Sequence, residues 1–460
     1  MGKKMKAYKN KEEGKKEFYE HMKKAVISSL SHLKKKAEKE QINPLLDYDF
    51  RIDINKKSWD TTLKIRYPMA SFVKMNLEEI LKLPEVVSCM DFMVENGFHK
   101  MIEMEITDKN GKIVEDVETY KRFLGYEIVG TFLMRYVESM GGLDYNENTF
   151  NNLYAELEEY IYTEGREIIA IAPLLNFELK GIEKVDLGDF IIRRITEEEF
   201  KMLLSKGALG ERHLLYPHGG IFETIWCIEK VKYPSKKGSG NLTPHVERVM
   251  TALRLFKRGS IYYSAILEYP KVWRTYWDVS SHGGGKVYGS RYELTDKDVE
   301  NLKEFWNKFK SLNTQRLSSL DVAIRRFNFS YERRLPEDKL IDYITAFEAL
   351  YLKGAREELG YRLALRCAYF LGKDEEERKR IFEILKGAYD VRSKIVHGRQ
   401  IQSKSLNKII NKLNLKSLAE LSMKVEEYLR ESIKMFLDYL QSKSHEEIIE
   451  EIDEKIIAGC

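Results

Sequence analysis

The chain has 460 residues, of which 33% are charged and 43% hydrophobic, and its formal net charge is +4. That length exceeds one ordinary core and predicts two or three domains. The composition excludes a disordered or fibrous chain, and a charge of +4 is too small to mark a nucleic-acid binder by itself.

Much of the excess positive charge sits at the start, where residues 1–40 carry about twice as many Lys as Glu. The four cysteines, Cys89, Cys227, Cys367 and Cys460, lie far apart without metal-ligand spacing. They predict free thiols in a reducing compartment. No apolar run reaches the length of a membrane span, and the basic N-terminus lacks the apolar stretch of a secretory signal. Lys6 stands where a myristoylation signal wants Ser or Thr, and Cys460 is not in a CaaX box. These features predict a cytoplasmic protein with no membrane partner.

In chain order, residues 12–40 read as an amphipathic helix, with Phe18, Met22, Val26, Ser29 or Leu30, and Leu33 at helical spacing. A helix packed on the body is the first expectation, and one lying on RNA or an anionic membrane the second. Asp47 to Phe72 alternates polar and apolar residues as strands do, and Met101 to Val117 reads as a hairpin around Asp108-Lys109-Asn110-Gly111. Tyr120 to Met140 and Thr149 to Thr163 have helix period, so residues 1–160 are expected to form an N-terminal α+β domain with a basic helical arm.

Residues 161–300 predict a β-rich middle domain. Candidate strands are Glu167 to Ala172, Phe190 to Ile195, Gly220 to Tyr233 and Ser260 to Tyr269, with a short helix from Thr196. Thr243 and Pro244 suit the start of a helix through Phe256. Ser280 to Ser290 is a Gly-rich surface loop without the spacing of a phosphate-binding loop. From 301 to 460 nearly everything is helical. The predicted helices are 296–311, 316–326, 337–353, 358–371, 375–396, 415–444 and a tail from His445. Gly372 caps one helix, and Asp374 with Glu377 forms a capping box for the next.

Three consecutive helices each place an ionisable residue on or beside the face expected to be buried. Glu348 flanks the stripe Leu340, Ile344, Phe347, Tyr351. Arg366 stands within Leu359, Leu363, Phe370, and Arg392 within Ile381, Leu385, Ala388, Ile395. Buried charges are costly unless paired, so one carboxylate and two guanidiniums predict a polar network inside a helical bundle. His397 follows Arg392 by five positions. The two lie ~140° apart on a straight helix, so they converge only if the helix ends or bends, or if a second copy of the chain supplies one of them. Ser393 and Tyr389 share the face of His397, where Ser393 is placed to fix the imidazole tautomer and Tyr389 to stack on a base. Such a pair suits RNA cleavage without a metal or cofactor. Histidine moves a proton near neutral pH, and arginine stays charged and holds a phosphate. The 2′-hydroxyl would attack its own phosphate, leaving a 2′,3′-cyclic phosphate and a 5′-hydroxyl.

Tyr389 through Gly398, with Ala323-Ile324-Arg325-Arg326-Phe327, Asp342 to Leu350, and Tyr361-Arg362-Leu363-Ala364-Leu365-Arg366, resembles the HEPN superfamily and, within it, the Apea-like branch. The likeness covers about residues 315–440, with a weaker match at Leu187 to Ile195. It implies a C-terminal all-α HEPN bundle, a homodimer, RNA as substrate, and Arg392 and His397 as catalytic residues. Ser393, Tyr389, Glu348, Arg366 and Arg399 would support them or contact RNA. Ser393 departs from the Asn, Asp or His common after the arginine in active members. The branch suggests prokaryotic anti-phage or abortive-infection defence, with a phage-derived trigger or an inhibitory partner. The alternatives are a non-catalytic HEPN module that binds RNA or a protein, and a toxin kept silent by a partner.

Overall fold

A computed structural model describes residues 11–40, 69–102, 116–163, 168–196, 226–232, 243–263, 265–270, 279–280, 289–311, 318–354, 357–396 and 403–459, with Glu199 and Trp273. The chain forms two compact units, each assembled from three stretches. Residues 1–173, 188–242 and 265–282 make the first, and 174–187, 243–264 and 283–460 the second.

The first unit opens with α1 (Lys11–Lys39). Phe18, Met22, Val26, Leu30 and Leu33 are buried along one face, with Ser29 among them donating its hydroxyl to the Ala25 carbonyl at 2.7 Å. The expected amphipathic helix is therefore packed on the body of its unit, and its apolar face is not available to a membrane. Four of its nine lysines are engaged as well: Lys15 with Glu158 at 2.7 Å, Lys23 with Glu147 at 2.6 Å, Lys34 with Asp144 at 2.8 Å and Lys36 with Glu79 at 2.6 Å.

α2 (Met69–Met75), α3 (Leu77–Ile80), α4 (Pro84–Glu95) and α5 (Phe98–Met101) follow. The end of the first strand reading is thus corrected, because Met69 to Phe72 begins a helix. Phe72 and Val73 are adjacent and both buried, which a half-exposed strand does not allow but the i, i+3, i+4 set Met69, Phe72, Val73 does. The rest of that reading and most of the 101–117 hairpin fall on 41–68 and 103–115, outside the described residues. α6 (Val117–Leu124) runs through a π-helical turn, Gly125–Gly130, into α7 (Thr131–Met140), and α8 (Glu147–Tyr162) follows. These helices close around an aromatic core in which Phe18, Phe92, Phe98, Phe132, Phe150 and Tyr154 interlock.

The strands are β1 (Ile168–Leu175), β2 (Phe177–Lys180), β3 (Lys184–Asp186), β4 (Ile191–Arg194), β5 (Trp226–Lys232), β6 (Tyr262–Tyr263), β7 (Ile266–Pro270), β8 (Val279–Ser280) and β9 (Tyr292–Thr295). In the first unit, β1 pairs antiparallel with β5 on one side (Ile169↔Val231) and with β7 on the other (Ile169↔Tyr269), while β4 extends from β5 and β8 from β7. Ala170, Ile171 and Ala172 are all buried, as expected of a strand covered on both faces. In the second unit β2 and β9 run parallel, Phe177↔Tyr292 through Lys180↔Thr295. The helix expected from Thr196 and the loop 281–288 lie outside the described residues, apart from Glu199, which is helical.

The second unit adds α9 (Thr243–Phe256), α10 (Asp296–Ser311), α11 (Ser319–Ser330), α12 (Pro336–Tyr351), α13 (Leu359–Leu371), α14 (Glu375–Val396), α15 (Ser403–Lys412), α16 (Leu418–Tyr439) and α17 (His445–Ala458). A mixed α+β chain with a helical C-terminal region is thus observed. Helices α12, α13, α14 and α16 bury Tyr343, Phe347, Tyr351, Leu363, Cys367, Leu385, Ala388, Val425, Leu429 and Phe436 against one another. Asp374 accepts the Glu377 N–H at 2.8 Å, and the Glu377 carboxylate returns to the Lys373 N–H at 3.0 Å. The box therefore closes one residue earlier than the sequence pattern suggests. Gly372 does cap α13, but in extended backbone (φ −77°). Its hydrogen matters because a Cβ there would come 2.8 Å from the Ala368 carbonyl oxygen.

Candidate active site

The site sits where α12, α13 and α14 adjoin. Arg392 lies one turn before the last described residue of α14, Val396. Glu348 lies in the last turn of α12. An Arg392 guanidinium nitrogen donates to the Glu348 carboxylate at 3.1 Å, and the two side chains are 22% and 24% exposed. The pair is therefore partly shielded from water, which strengthens it over a surface pair. The Tyr389 ring lies one turn back on α14, 5.9 Å from the Arg392 guanidinium carbon. Burial, reinforced by the Glu348 charge, raises the Tyr389 phenol above its ordinary range, while Arg392 opposes the rise. Tyr389 remains a neutral hydrogen-bonding phenol at any physiological pH. The Arg392 Nε–H is buried and has no partner among the described residues, a costly condition for a donor.

Local sequence explains this convergence. Gly360 opens α13, and a Cβ there would stand 2.7 Å from Tyr389 Cδ1. Only glycine lets the first turn of α13 press on that ring. Arg392 itself occupies a position flanked by the buried residues Ala388 and Val391, so its guanidinium is directed along the bundle toward α12.

Of the residues expected at the site, Glu348, Tyr389 and Arg392 come together, and Ser393, next to Arg392 in α14, is half-buried. His397 and Arg399 lie outside the described residues. Arg366 is not in this group, a correction to the expected three-residue network. Its Nε and one amino group clamp Asp453 at 2.7 Å each, and the other amino group donates to the Tyr351 carbonyl at 2.6 Å. This bidentate pair fastens α17 to α13. Asp453, which the sequence reading did not single out, adjoins Ile452 on the apolar face of α17, the same signal that marked Arg366 on its own helix. Ile395, expected within the buried stripe of α14, is only half-buried.

Among the described residues no cluster of three or more His, Cys, Asp or Glu is placed to hold a metal ion, and no helix is long and apolar enough to cross a membrane. Cys89 and Cys367 are free and buried, and burial pushes the Cys367 thiol up to about 12, so it is inert as a nucleophile. In the first unit Ser88 Oγ lies 3.4 Å from His21 Nδ1 beside a surface groove. The neighbouring Asp91 is held by Lys121 at 2.5 Å, so that carboxylate does not back the imidazole.

No protein-family model, curated protein or solved structure matches the chain.

Proposed function

We propose that the chain is a metal-independent endoribonuclease of the HEPN type, acting as a homodimer in prokaryotic anti-phage or abortive-infection defence. Arg392 holds the reacting phosphate. His397 moves the proton of the 2′-hydroxyl or of the leaving 5′-oxygen. The observation that carries this reading is the state of Arg392. It is a partly exposed guanidinium, oriented by Glu348 through one amino group, five residues before His397. A phosphate oxygen meeting the exposed part of that guanidinium would receive charge where the transition state needs it. Tyr389, kept neutral, flanks the same guanidinium.

The chemistry needs a 2′-hydroxyl nucleophile. An RNA containing a single 2′-deoxynucleotide should resist cleavage at that position and be cut elsewhere. Cutting at the deoxy position, or of an all-DNA copy, would refute the mechanism.

A second reading, a non-catalytic HEPN module that binds RNA or a protein, draws on the same salt bridge, since a carboxylate that already neutralises Arg392 is what a purely structural pair requires. It predicts that His397→Ala leaves RNA binding and every other property nearly unchanged, and that no cleavage occurs to be lost.

A further inference from the structure

Two rings beside the candidate site, the exposed Tyr361 and the half-buried Phe382, take no part in the proposed chemistry. Tyr361, 47% exposed, stands at the start of α13. It meets Phe382 of α14 edge-to-face, with ring centroids 5.4 Å apart. The Lys386 ammonium lies over both rings, 5.9 Å from the Tyr361 centroid and 5.6 Å from that of Phe382. Phe382, Lys386 and Tyr389 follow one another at i, i+4 and i+7, so they share one face of α14, and the Tyr389 ring at the end of that face lies 5.9 Å from the Arg392 guanidinium carbon. At a rise of about 1.5 Å per residue, Lys386 is about 9 Å along the helix from Arg392.

We propose that Tyr361, Phe382 and Lys386 form a base-stacking subsite for single-stranded RNA, taking a nucleotide that neighbours the phosphate held at Arg392. The proposal rests on the nuclease reading of that arginine. A half-exposed tyrosine ring with a cation beside it is an arrangement that binds an unpaired base and its phosphate together, because every base has a π-face and every linkage a negative charge. The size of the patch decides against a protein partner. Half of one tyrosine ring offers on the order of 100 Å², against the roughly 800 Å² per partner that a stable protein interface needs. A duplex is also disfavoured, since its bases are stacked on one another and present no free face.

The test is a binding cycle with a short unstructured oligonucleotide that is 2′-O-methylated throughout and so cannot be cut. Its bases are replaced one at a time by abasic sites, and binding to the full chain is followed by fluorescence anisotropy. Tyr361→Leu keeps an apolar group against Phe382, and the exposure of the site makes it tolerant; Tyr361→Phe keeps the stacking face. Tyr361→Leu is expected to weaken binding about tenfold or more, the scale of one stacked base, while Tyr361→Phe binds like the wild type. One abasic position should cost the wild type a similar factor and cost Tyr361→Leu nothing.

Unchanged binding by Tyr361→Leu, or losses that simply multiply at every abasic position, would overturn the subsite. So would no binding by the wild type. Unchanged oligonucleotide binding together with a shift in the protein's own mass in solution would assign the rings to a second copy instead. The binding cycle needs no chemistry, so the two readings fail separately. If the cycle holds but the wild type cuts no RNA, the nuclease reading falls alone. If Arg392→Ala abolishes cutting while Tyr361→Leu cuts and binds as before, the subsite falls alone.

Discussion

At the residue scale the account turns on what Glu348 does for Arg392. A side chain as long as arginine loses considerable rotamer freedom when fixed, and the 3.1 Å contact with Glu348 fixes it before any substrate arrives. In the proposed enzyme that preorganisation is useful, but the carboxylate also competes with phosphate for the same cation. Glu348→Gln keeps a hydrogen-bond acceptor without the competing charge, whereas Glu348→Ala frees the guanidinium. Glu348→Ala should lower cleavage tenfold or more, on the scale of about 1.4 kcal/mol of lost orientation. It should shift thermal stability little, because partly exposed pairs contribute about 1 kcal/mol or less. Cleavage at the wild-type rate by Glu348→Ala would remove Glu348 from the positioning role. The sequence reading put Glu348 and Arg392 on facing helices from their stripes alone. It failed for Arg366 because a helical wheel assigns a face, not the neighbour across from it. Arg366 faces α17 and Asp453, a helix distant in sequence, and nothing local in the chain announces that partner.

At the scale of elements, the second unit was the more legible. The bounds of α9, α10, α14 and α17 follow from apolar period and capping residues that act within one turn. α15 was missed, although Leu406, Ile409, Ile410 and Leu413 carry its 3–4 spacing and Gly387 makes room for Leu413 (a Cβ there would lie 2.8 Å from its Cδ1). Beside the salient Arg/His motif, that short segment was assigned no element. Short strands such as β2, β3 and β9, of four residues or fewer, escape any period-2 test. Docking of α17 yields a pH prediction. His445 at its start stacks on Phe436 and donates Nε2–H to the Leu350 carbonyl at 2.8 Å, while its Nδ1 is buried without a partner among the described residues. Burial, aided by the Lys353 charge, holds this imidazole below its ordinary 6.5, with the Leu350 hydrogen bond opposing. The unfolded chain therefore takes up the proton first. The contribution of His445 is fully present above 6.5 and is lost as pH falls through its folded value. Thermal midpoints measured at about pH 7.5 and about pH 5.5 should fall more in the wild type than in His445→Gln. Equal falls would show that α17 does not depend on a neutral His445.

At the scale of the whole molecule, charge within each unit ties helices together. Four of the nine lysines of α1, Lys15, Lys23, Lys34 and Lys36, are spent on carboxylates of their own unit. In the second unit, Arg430 is 3% exposed, donates from Nε to the Arg254 carbonyl at 2.9 Å and pairs with Glu426. Glu426 also accepts from Tyr331 at 3.0 Å and Tyr343 at 3.2 Å. One carboxylate thus joins α12 and α16 to the turn after α11. Removing it would strand a buried guanidinium. Glu426→Ala should cost about 3–5 kcal/mol, read as a lower urea midpoint with an unchanged slope. A loss under about 1 kcal/mol would mean that water or another acceptor already satisfies Arg430. Sequence patterning did not reveal this network, since Glu426 and Arg430 at i, i+4 look like any solvated helix pair until tertiary packing covers them.

The central claim, that Arg392 and His397 cut RNA without a metal, is tested most directly by incubating total RNA with the full chain in EDTA, with the Arg392→Ala/His397→Ala double variant alongside. The account predicts discrete cuts that persist in EDTA, end in 2′,3′-cyclic phosphate and 5′-hydroxyl, and vanish in the variant. Cuts that survive the double substitution, or that require a divalent ion, would contradict it.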